Sequence, residues 1–288
     1  MFATMHEPDP LIPPPGPHRA PLDESALRAA ILAGSDLWTK LTVVASTGST
    51  NADLLAAAMA GEPTGSVLVA EDQTRGRGRL DRTWQSQPGA ALTFSALLRP
   101  VAVPPGSRGW LPLLAGVAVA AGLRTQAGLE VSLKWPNDVL AGRAKLAGIL
   151  AEQTGNAIVV GIGLNVSQGP GELPSGQATS VWLAGATGAD RAEILAAVLR
   201  EFERRYQAWN SGPHPGDAAA CGLRAEYLRY CATVGKDVRV ELPGGGVLTG
   251  RAQDVDGVGR LLVSTPEGVQ PVSAGDVVHV RDPGLTLS

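Results

Sequence analysis

Hydrophobic and polar positions form three successive patterns along the chain. Residues 1–21 are rich in proline and carry few apolar positions, in no regular period, which is typical of a disordered tail. A short helix is predicted directly after them, beginning near Asp23 and ending at Gly34. Apolar runs with helical and strand periods then alternate up to about residue 232, and short strand-like runs follow. The pattern therefore predicts three parts: a tail with a short helix (1–34), a large domain (35–232) and a small domain (233–288).

Strands and helices of the large domain are intermixed, which favours an α+β fold around a mixed sheet. The strand and helix periods, with glycine, proline and capping residues at their ends, locate each element. The predicted strands are 41–45, 66–71, 91–98, 131–135, 145–153 and 157–166, and the predicted helices are 51–60, 111–127, 190–209 and 218–230.

The small domain has a different pattern, rich in glycine and valine. Short strands separated by turns at this spacing are typical of a small β-barrel. The predicted strands are 237–242, 246–255, 260–264, 269–272 and 277–280.

Composition limits the classes of function. The 288 residues are enough for one large and one small domain, and the formal charge of −3 opposes a dedicated nucleic-acid binder. No apolar run has the length needed to span a membrane, and no secretion signal opens the chain. The two cysteines, Cys221 and Cys231, are interpreted as reduced. We therefore expect a cytoplasmic protein without a membrane or DNA partner.

The densest chemical signal is the segment from Gln73 to Trp84, which follows an apolar strand and combines glycines with the arginines at 75, 77, 79 and 82. Backbone N–H groups and guanidinium groups exposed together suit a phosphate or a carboxylate. The segment is too short for a general nucleic-acid surface. It predicts a small anionic ligand held in a fixed place.

Other common chemistries find little support. A P-loop motif is missing, and the glycines at 76 and 78 precede a strand and not a helix, so a dinucleotide fingerprint fails on context. None of the four histidines (6, 18, 214 and 279) neighbours a motif, which opposes a Ser-His-Asp triad or a His-ligated metal. Arginine, lysine, carboxylate and backbone groups remain, and they favour reactions driven by charge neutralisation, such as nucleotidyl transfer.

Taken singly, the remaining motifs have ordinary structural interpretations as helix caps, proline turns and sheet-edge lysines. Their order and spacing along the chain change that interpretation. Together they resemble the biotin–protein ligases, through motifs between about residues 40 and 170 and through the small-barrel pattern of 235–281. The motifs are Ser49-Thr50-Asn51, then Gln73 with Gly76-Arg77-Gly78-Arg79, Arg82 and Trp84, then Lys134-Trp135-Pro136-Asn137-Asp138, then Lys145-Leu146 with Gly148-Ile149-Leu150, and finally Gly161-Ile162-Gly163-Leu164-Asn165.

The resemblance implies a catalytic domain of the biotin/lipoate ligase type and an SH3-like C-terminal domain. It also implies biotin and ATP as substrates, with Mg²⁺, although the sequence leaves the ligands of a metal unknown. The expected reaction forms biotinyl-5′-adenylate and then transfers biotin to a lysine of a biotin carboxyl carrier domain of acyl-CoA or pyruvate carboxylases. The chain resembles the non-repressor type, which lacks an N-terminal DNA-binding domain. A lipoate or octanoate ligase or transferase of the same fold is the alternative.

Roles carried over by the resemblance fall into two groups. At the biotin end, the ring system would contact Ser49, Thr50, Asn51 and Gln73. At the phosphate end, the Gly76-Arg77-Gly78-Arg79 loop would cover the carboxylate and the phosphate, and Trp84 would close over the ligand.

The later motifs add further residues to the phosphate end. Lys145, beside Gly148, would reach the activated carboxyl group, and Asn137 and Asp138 would orient the nucleotide and its metal-bound phosphates. Lys134 and Asn165 are further candidates there. We expect the catalytic groups to be Arg77, Arg79, Lys145 and Asp138. Leu80 and Asp81 depart from the Arg and Gly of some family members, which affects loop mobility.

Overall fold

The computed structural model describes residues 19–79 and 82–280. Most of the predicted tail lies outside the described residues. So do Leu80 and Asp81, the two positions that differ from the Arg and Gly of some family members. The first half contains, in chain order, α1 (Glu24–Leu32), β1 (Lys40–Val44), α2 (Thr50–Met59), β2 (Ser66–Ala70), β3 (Gly76–Arg77), β4 (Thr83–Trp84), β5 (Ala91–Leu98), a 3-10 turn (Pro105–Gly109) and α3 (Trp110–Ala127). The second half contains β6 (Ser132–Lys134), β7 (Asp138–Ala141), β8 (Ala144–Thr154), β9 (Ala157–Asn165), α4 (Arg191–Ser211), α5 (Leu223–Tyr230), β10 (Asp237–Glu241), β11 (Val247–Val255), β12 (Leu261–Thr265), β13 (Gly268–Val272) and β14 (Asp276–His279).

A seven-stranded sheet in the order β1-β2-β5-β9-β8-β7-β6 forms the centre of the large domain. The β1–β2 pair is parallel and the other pairs are antiparallel, so the predicted mixed sheet and the α+β class are confirmed. Both β5 and β9 are buried along their whole length. Strands that are covered on both faces are largely apolar, and the predicted bounds of β5 and β9 agree with the observed ones to within one residue.

Alternate positions of β9 face two different environments. Val160, Ile162 and Leu164 belong to the main hydrophobic core, whereas Ala157 and Val159 belong to a separate cluster with Leu54 of α2. Because side chains alternate along a strand, the Gly161, Gly163 and Asn165 positions share the face of α2. The two glycines and the asparagine of this motif therefore lie on the face away from the main core, whereas Ile162 and Leu164 face into it.

The opposite face of the sheet is covered by α3, which packs along α4. The apolar residues of α3 are buried from Trp110 to Leu123, as a helix apolar on all sides requires. Close approach of the two helices depends on Gly122, because a Cβ there would lie 2.8 Å from Val198 Cγ2 and 3.0 Å from the Val198 nitrogen. Among the described residues no helix is long and apolar enough to cross a membrane.

Strands of the C-terminal part confirm the five-strand prediction. They form an antiparallel sheet in the order β13-β12-β11-β10-β14. Alternate positions of β10 are buried, with Val238 and Val240 facing inward. This half-buried alternation is the pattern of a small β domain with one solvated face.

Two predictions about local structure were wrong. The helix predicted from 218 begins only at Leu223, because Gly222 has a left-handed φ of 80° and Asp217 caps a separate turn through the N–H groups of Ala219 and Ala220. The tail predicted as disordered up to residue 21 is docked at its end, since the Ala20 carbonyl accepts a hydrogen bond from Arg191 Nη2 at 2.6 Å. The contact between Arg191 and Ala20 joins residues 171 positions apart and has no local sequence signal.

Substituting Gly122→Ala should lower the melting temperature clearly. Its Cβ would meet the backbone of α4, and overpacking of a tight contact costs about 1–3 kcal/mol. Gly116→Ala is the matched control, because its Cβ would meet only methyl groups of Leu133 and Ile149 at 3.3–3.6 Å. Equal melting temperatures for the two variants would contradict this account of the α3–α4 contact.

Candidate active site

A cleft opens on the α2 face of the sheet. It lies between the N-terminus of α2, the β3–β4 hairpin and parts of β5, β7, β8 and β9. Most of the residues predicted from sequence line it together: Ser49, Thr50, Asn51, Gln73, Arg77, Gly78, Arg79, Trp84, Asn137, Asp138, Lys145 and Gly148.

Three predicted residues lie beside the lining. Gly76 is buried and pairs with Trp84 in the hairpin. Asn165 is 3% exposed and donates from Nδ2 to the Thr179 carbonyl at 2.9 Å. Lys134 ends β6, and burial together with the neighbouring Lys145 lowers its pKa while Asp138 opposes that change.

One end of the cleft is a hydrogen-bonded network of uncharged side chains that ends on the carboxylate of Glu152. The Thr50 backbone N–H donates to Gln73 Oε1 at 2.8 Å, and the Thr50 and Ser95 hydroxyls are 2.7 Å apart. Ser95 Oγ donates to Asn51 Oδ1 at 2.6 Å, and Asn51 Nδ2 donates to Glu152 Oε2 at 2.8 Å. Buried polar side chains that hold one another in this way are pre-organised to receive a polar ligand without charge.

Local sequence explains the start of this network. Ser49 accepts a hydrogen bond from the Ala52 N–H and so serves as the N-cap of α2, as the cap interpretation predicted. The cap places Thr50 and Asn51 in the first turn, where both are buried and directed into the cleft. Ser49 is therefore both a helix cap and part of the cleft lining.

The other end of the cleft is cationic. Lys145 Nζ lies 2.6 Å from Asp138 Oδ1, and Arg77 Nη1 lies 3.4 Å from Glu152 Oε1. Arg79 Nη1 donates to Asn137 Oδ1 at 3.1 Å. Burial lowers the pKa of Arg79, and a neighbouring arginine adds to this while Asp138 opposes it. Positive charge held in a partly dry cleft favours an anionic ligand.

The arginine segment is more regular than a simple loop. Gly76 pairs with Trp84 and Arg77 pairs with Thr83, which makes a two-stranded hairpin. The hairpin also touches the C-terminal part of the chain, because Arg82 forms an ion pair with Asp276 and Arg79 Nη1 donates to the Gly275 carbonyl at 3.4 Å. The turn before β14 thus helps to position the arginines.

Glycines of the cleft face make room for two side chains. A Cβ at Gly163 would lie 2.4 Å from the Trp84 indole, and a Cβ at Gly161 would lie 2.1 Å from Asn51 Oδ1. Trp84 therefore packs directly on the β9 backbone, and its buried Nε1 has no hydrogen-bond partner among the described residues. Gly163 and Gly161 are needed for close approach and not for unusual backbone angles.

Several lining residues escaped the sequence analysis. Ser95 and Thr93 of β5 and Asp276 of β14 all line the cleft or its network. The two β5 residues carried a usable signal, because a polar side chain inside an apolar strand must find a partner. Asp276 had no such signal, since its place depends on how the C-terminal part packs.

The carboxylates of the lining, Asp138 and Asp276, both face cations. Within the described residues, no group of three or more His, Cys, Asp or Glu side chains could hold a metal ion by itself. Mg²⁺ commonly binds through one or two carboxylates together with substrate phosphates. The residues present are compatible with that arrangement, in which Asp138, the carboxylate beside Lys145, would be the protein ligand.

A mixed sheet with this cleft defines the biotin and lipoate class of protein ligases. The model of the biotin/lipoate A/B protein ligase family matches residues 43–168, and that of the biotin protein ligase C-terminal domain matches residues 233–280. The chain is 46% identical to a biotin–[acetyl-CoA-carboxylase] ligase of Mycobacterium tuberculosis, over 91% of this chain and 97% of the relative. The chain belongs to the biotin protein ligase family.

Two further similarities extend this result. A solved biotin protein ligase of Aquifex aeolicus in complex with biotin and ATP is 30% identical, with a TM-score of 0.69 over 85% of this chain and all of that one. The bifunctional ligase/repressor BirA of Bacillus subtilis is 34% identical over 75% of this chain and 66% of the relative. The similarity to that repressor thus covers only part of its length.

Gly163→Ala should displace Trp84 and lower the melting temperature, because the added Cβ overlaps the indole ring. In a Trp84→Ala background the same change should hardly alter the melting temperature, since the indole ring that the added Cβ would overlap is gone. Gly148→Ala serves as control, with its nearest contacts at 3.4 Å. Equal losses from Gly163→Ala in both backgrounds would show that the ring does not pack on Gly163.

Proposed function

We propose that this chain activates biotin with ATP to biotinyl-5′-adenylate and then transfers the biotinyl group to one lysine of a carrier protein. The observation that carries the proposal is the union, in one cleft, of a hydrogen-bonding end built mainly from uncharged side chains and a cationic end. Biotin has the same two ends, a neutral ureido ring and a carboxylate. The family relationship and the similarity to a ligase in complex with biotin and ATP support it.

In the first step a carboxylate oxygen of biotin attacks the α-phosphorus of ATP, and the bond to pyrophosphate breaks. We assign the ureido ring to the network of Thr50, Asn51, Ser95 and Gln73. The carboxylate then extends toward the arginines and Lys145. Two anions repel each other as they approach, and fixed cations offset that repulsion without reorganising during the reaction.

Individual cations have distinct places in this scheme. Arg79 donates to Asn137 at 3.1 Å and to the Gly275 carbonyl of the C-terminal part at 3.4 Å. We assign this fixed guanidinium group to the phosphate. Arg77 is more exposed and pairs with Glu152 at 3.4 Å, so it can exchange that partner for a ligand carboxylate. Lys145 stands beside Asp138 and is assigned to the oxygen shared by carboxyl and phosphate. Mg²⁺, when bound, neutralises the leaving pyrophosphate.

In the second step an uncharged lysine of the carrier attacks the carbonyl carbon of the mixed anhydride, and AMP leaves. The step needs positioning and exclusion of water more than a strong acid or base. Trp84 packs across the β9 backbone and is assigned to shielding the anhydride. Asp138 lies next to Lys145 and is the carboxylate assigned to orient that lysine and to accept the proton of the attacking amine.

The proposed partner is a biotin carboxyl carrier domain. The M. tuberculosis relative is named for acetyl-CoA carboxylase, and we extend the proposal to carriers of acyl-CoA and pyruvate carboxylases. Neither step needs DNA. We place the activity in the cytoplasm, where ATP is supplied.

Lys145→Ala should lower kcat of biotin-dependent ATP–pyrophosphate exchange by about 100-fold or more, because a fixed charge on the developing anion is lost. The control is Lys40→Ala, which removes a lysine paired with Glu62 at 3.0 Å on the edge strand. Exchange that continues undiminished in Lys145→Ala would remove this lysine from the mechanism.

Incubation with biotin, Mg-ATP and a purified biotin carboxyl carrier domain should add one biotinyl group to one carrier lysine, as mass spectrometry detects directly. A parallel incubation replaces biotin with lipoate. Because the network at Thr50 and Asn51 suits a ureido ring, we expect turnover with biotin alone. Turnover with lipoate alone would overturn the proposal in favour of the lipoate alternative.

A further inference from the structure

Residues 19–22, ahead of α1, are fixed against the large domain by two long-range contacts. Arg191, which is 8% exposed, donates to the Ala20 carbonyl at 2.6 Å and to Glu71 Oε2 at 2.7 Å. The other oxygen of Glu71 accepts the Leu22 N–H at 2.5 Å. A buried arginine and a half-buried glutamate thus hold the backbone on both sides of Pro21. The position of the backbone that carries Arg19 is therefore fixed.

Arg19 uses this position to hold a turn about 150 residues away in the sequence. Its Nη1 and Nη2 donate to the two oxygens of Glu172 at 2.9 and 2.5 Å, and its Nε and Nη2 donate to the hydroxyl and the carbonyl of Ser167 at 3.1 Å. The Arg19 hydrogen bonds, followed by the Gly169 N–H, lower the pKa of Glu172. A bidentate pair of this kind fixes geometry as well as charge.

The turn held by Arg19 leads directly to the cationic end of the cleft. Gln168, inside the turn, accepts a hydrogen bond from Ser180 Oγ at 2.8 Å and donates to Asn165 Oδ1 at 3.1 Å. Residues 177–179 then pair with the backbone of Lys145, whose N–H donates to the Gln177 carbonyl at 2.7 Å. The Thr179 N–H returns a bond to the Lys145 carbonyl at 2.9 Å. The segment 167–180 is therefore a bridge between Arg19 and Lys145.

We propose that Arg19 is a positioning residue for the adenylation step, which acts by fixing the segment 167–180 against Lys145 and Asn165. The proposal rests on the function proposed above. The bridged residues belong to the nucleotide end of the cleft, whereas the network of Thr50 and Asn51 belongs to the other end. Arg19 therefore governs the affinity for ATP far more than the affinity for biotin, whose ring lies at the other end.

Arg19→Ala tests this assignment through the two substrates separately. The KM for ATP in biotin-dependent pyrophosphate exchange should rise roughly threefold to tenfold, as suits the loss of a partly exposed bidentate pair. The Kd for biotin without ATP, measured by calorimetry, should stay within twofold of the unsubstituted chain. Glu172→Gln removes the charge on the other side of the pair with little change of shape, and it should raise the KM for ATP as well.

A matched control separates positioning from general stability. Arg224 forms an ion pair with Asp254 and donates to the Val255 carbonyl at 2.8 Å, and the side-chain exposures of that pair, 30% and 33%, equal those of Arg19 and Glu172. Arg224→Ala should leave both constants unchanged. An unaltered KM for ATP in Arg19→Ala and Glu172→Gln, or an equal rise in Arg224→Ala, would overturn the inference. Loss of exchange in the unsubstituted chain would instead refute the proposed function.

Discussion

Concentration of positive charge in the cleft is the constraint on which the rest of the site depends. Cations that lie close together repel one another, and a nearby carboxylate offsets that repulsion. Asp138 faces Lys145 and Glu152 faces Arg77. An anionic substrate then replaces or joins an existing partner, so the cleft stays stable before the ligand binds and remains attractive to it.

The strand β9 shows how the fold meets this constraint with few residues. Its even positions, such as Ile162, anchor the sheet in the main core, and its odd positions, Gly161 and Gly163, leave space for Asn51 and Trp84. One strand thus supplies rigidity on one face and a close-fitting cleft wall on the other. Ser49 also has two roles, because it is the N-cap of α2 and lines the cleft.

How much of the structure could be predicted from the sequence depended on how far apart along the chain the interacting residues lie. The bounds of β5 were predicted to the residue, because its largely apolar run is followed by Pro100. Most residues of the cleft were also predicted, since they fall in short motifs whose order resembles a known family. The α5 start was missed because Gly222 and the Asp217 turn interrupt a pattern that still looks helical.

The sequence by itself determined most of the elements, the class of fold and the ligand chemistry, because periodicity, caps and motif composition are local properties of the chain; the short strands β3, β4 and β7 were missed. Only the tertiary structure decided which groups meet. It brought Ser95 into the network with Asn51, Asp276 to the arginine hairpin, and Arg19 to Glu172. These contacts join residues 44 to 194 positions apart. Nothing local encodes such pairs, since they follow from how sheets and helices pack around a common core.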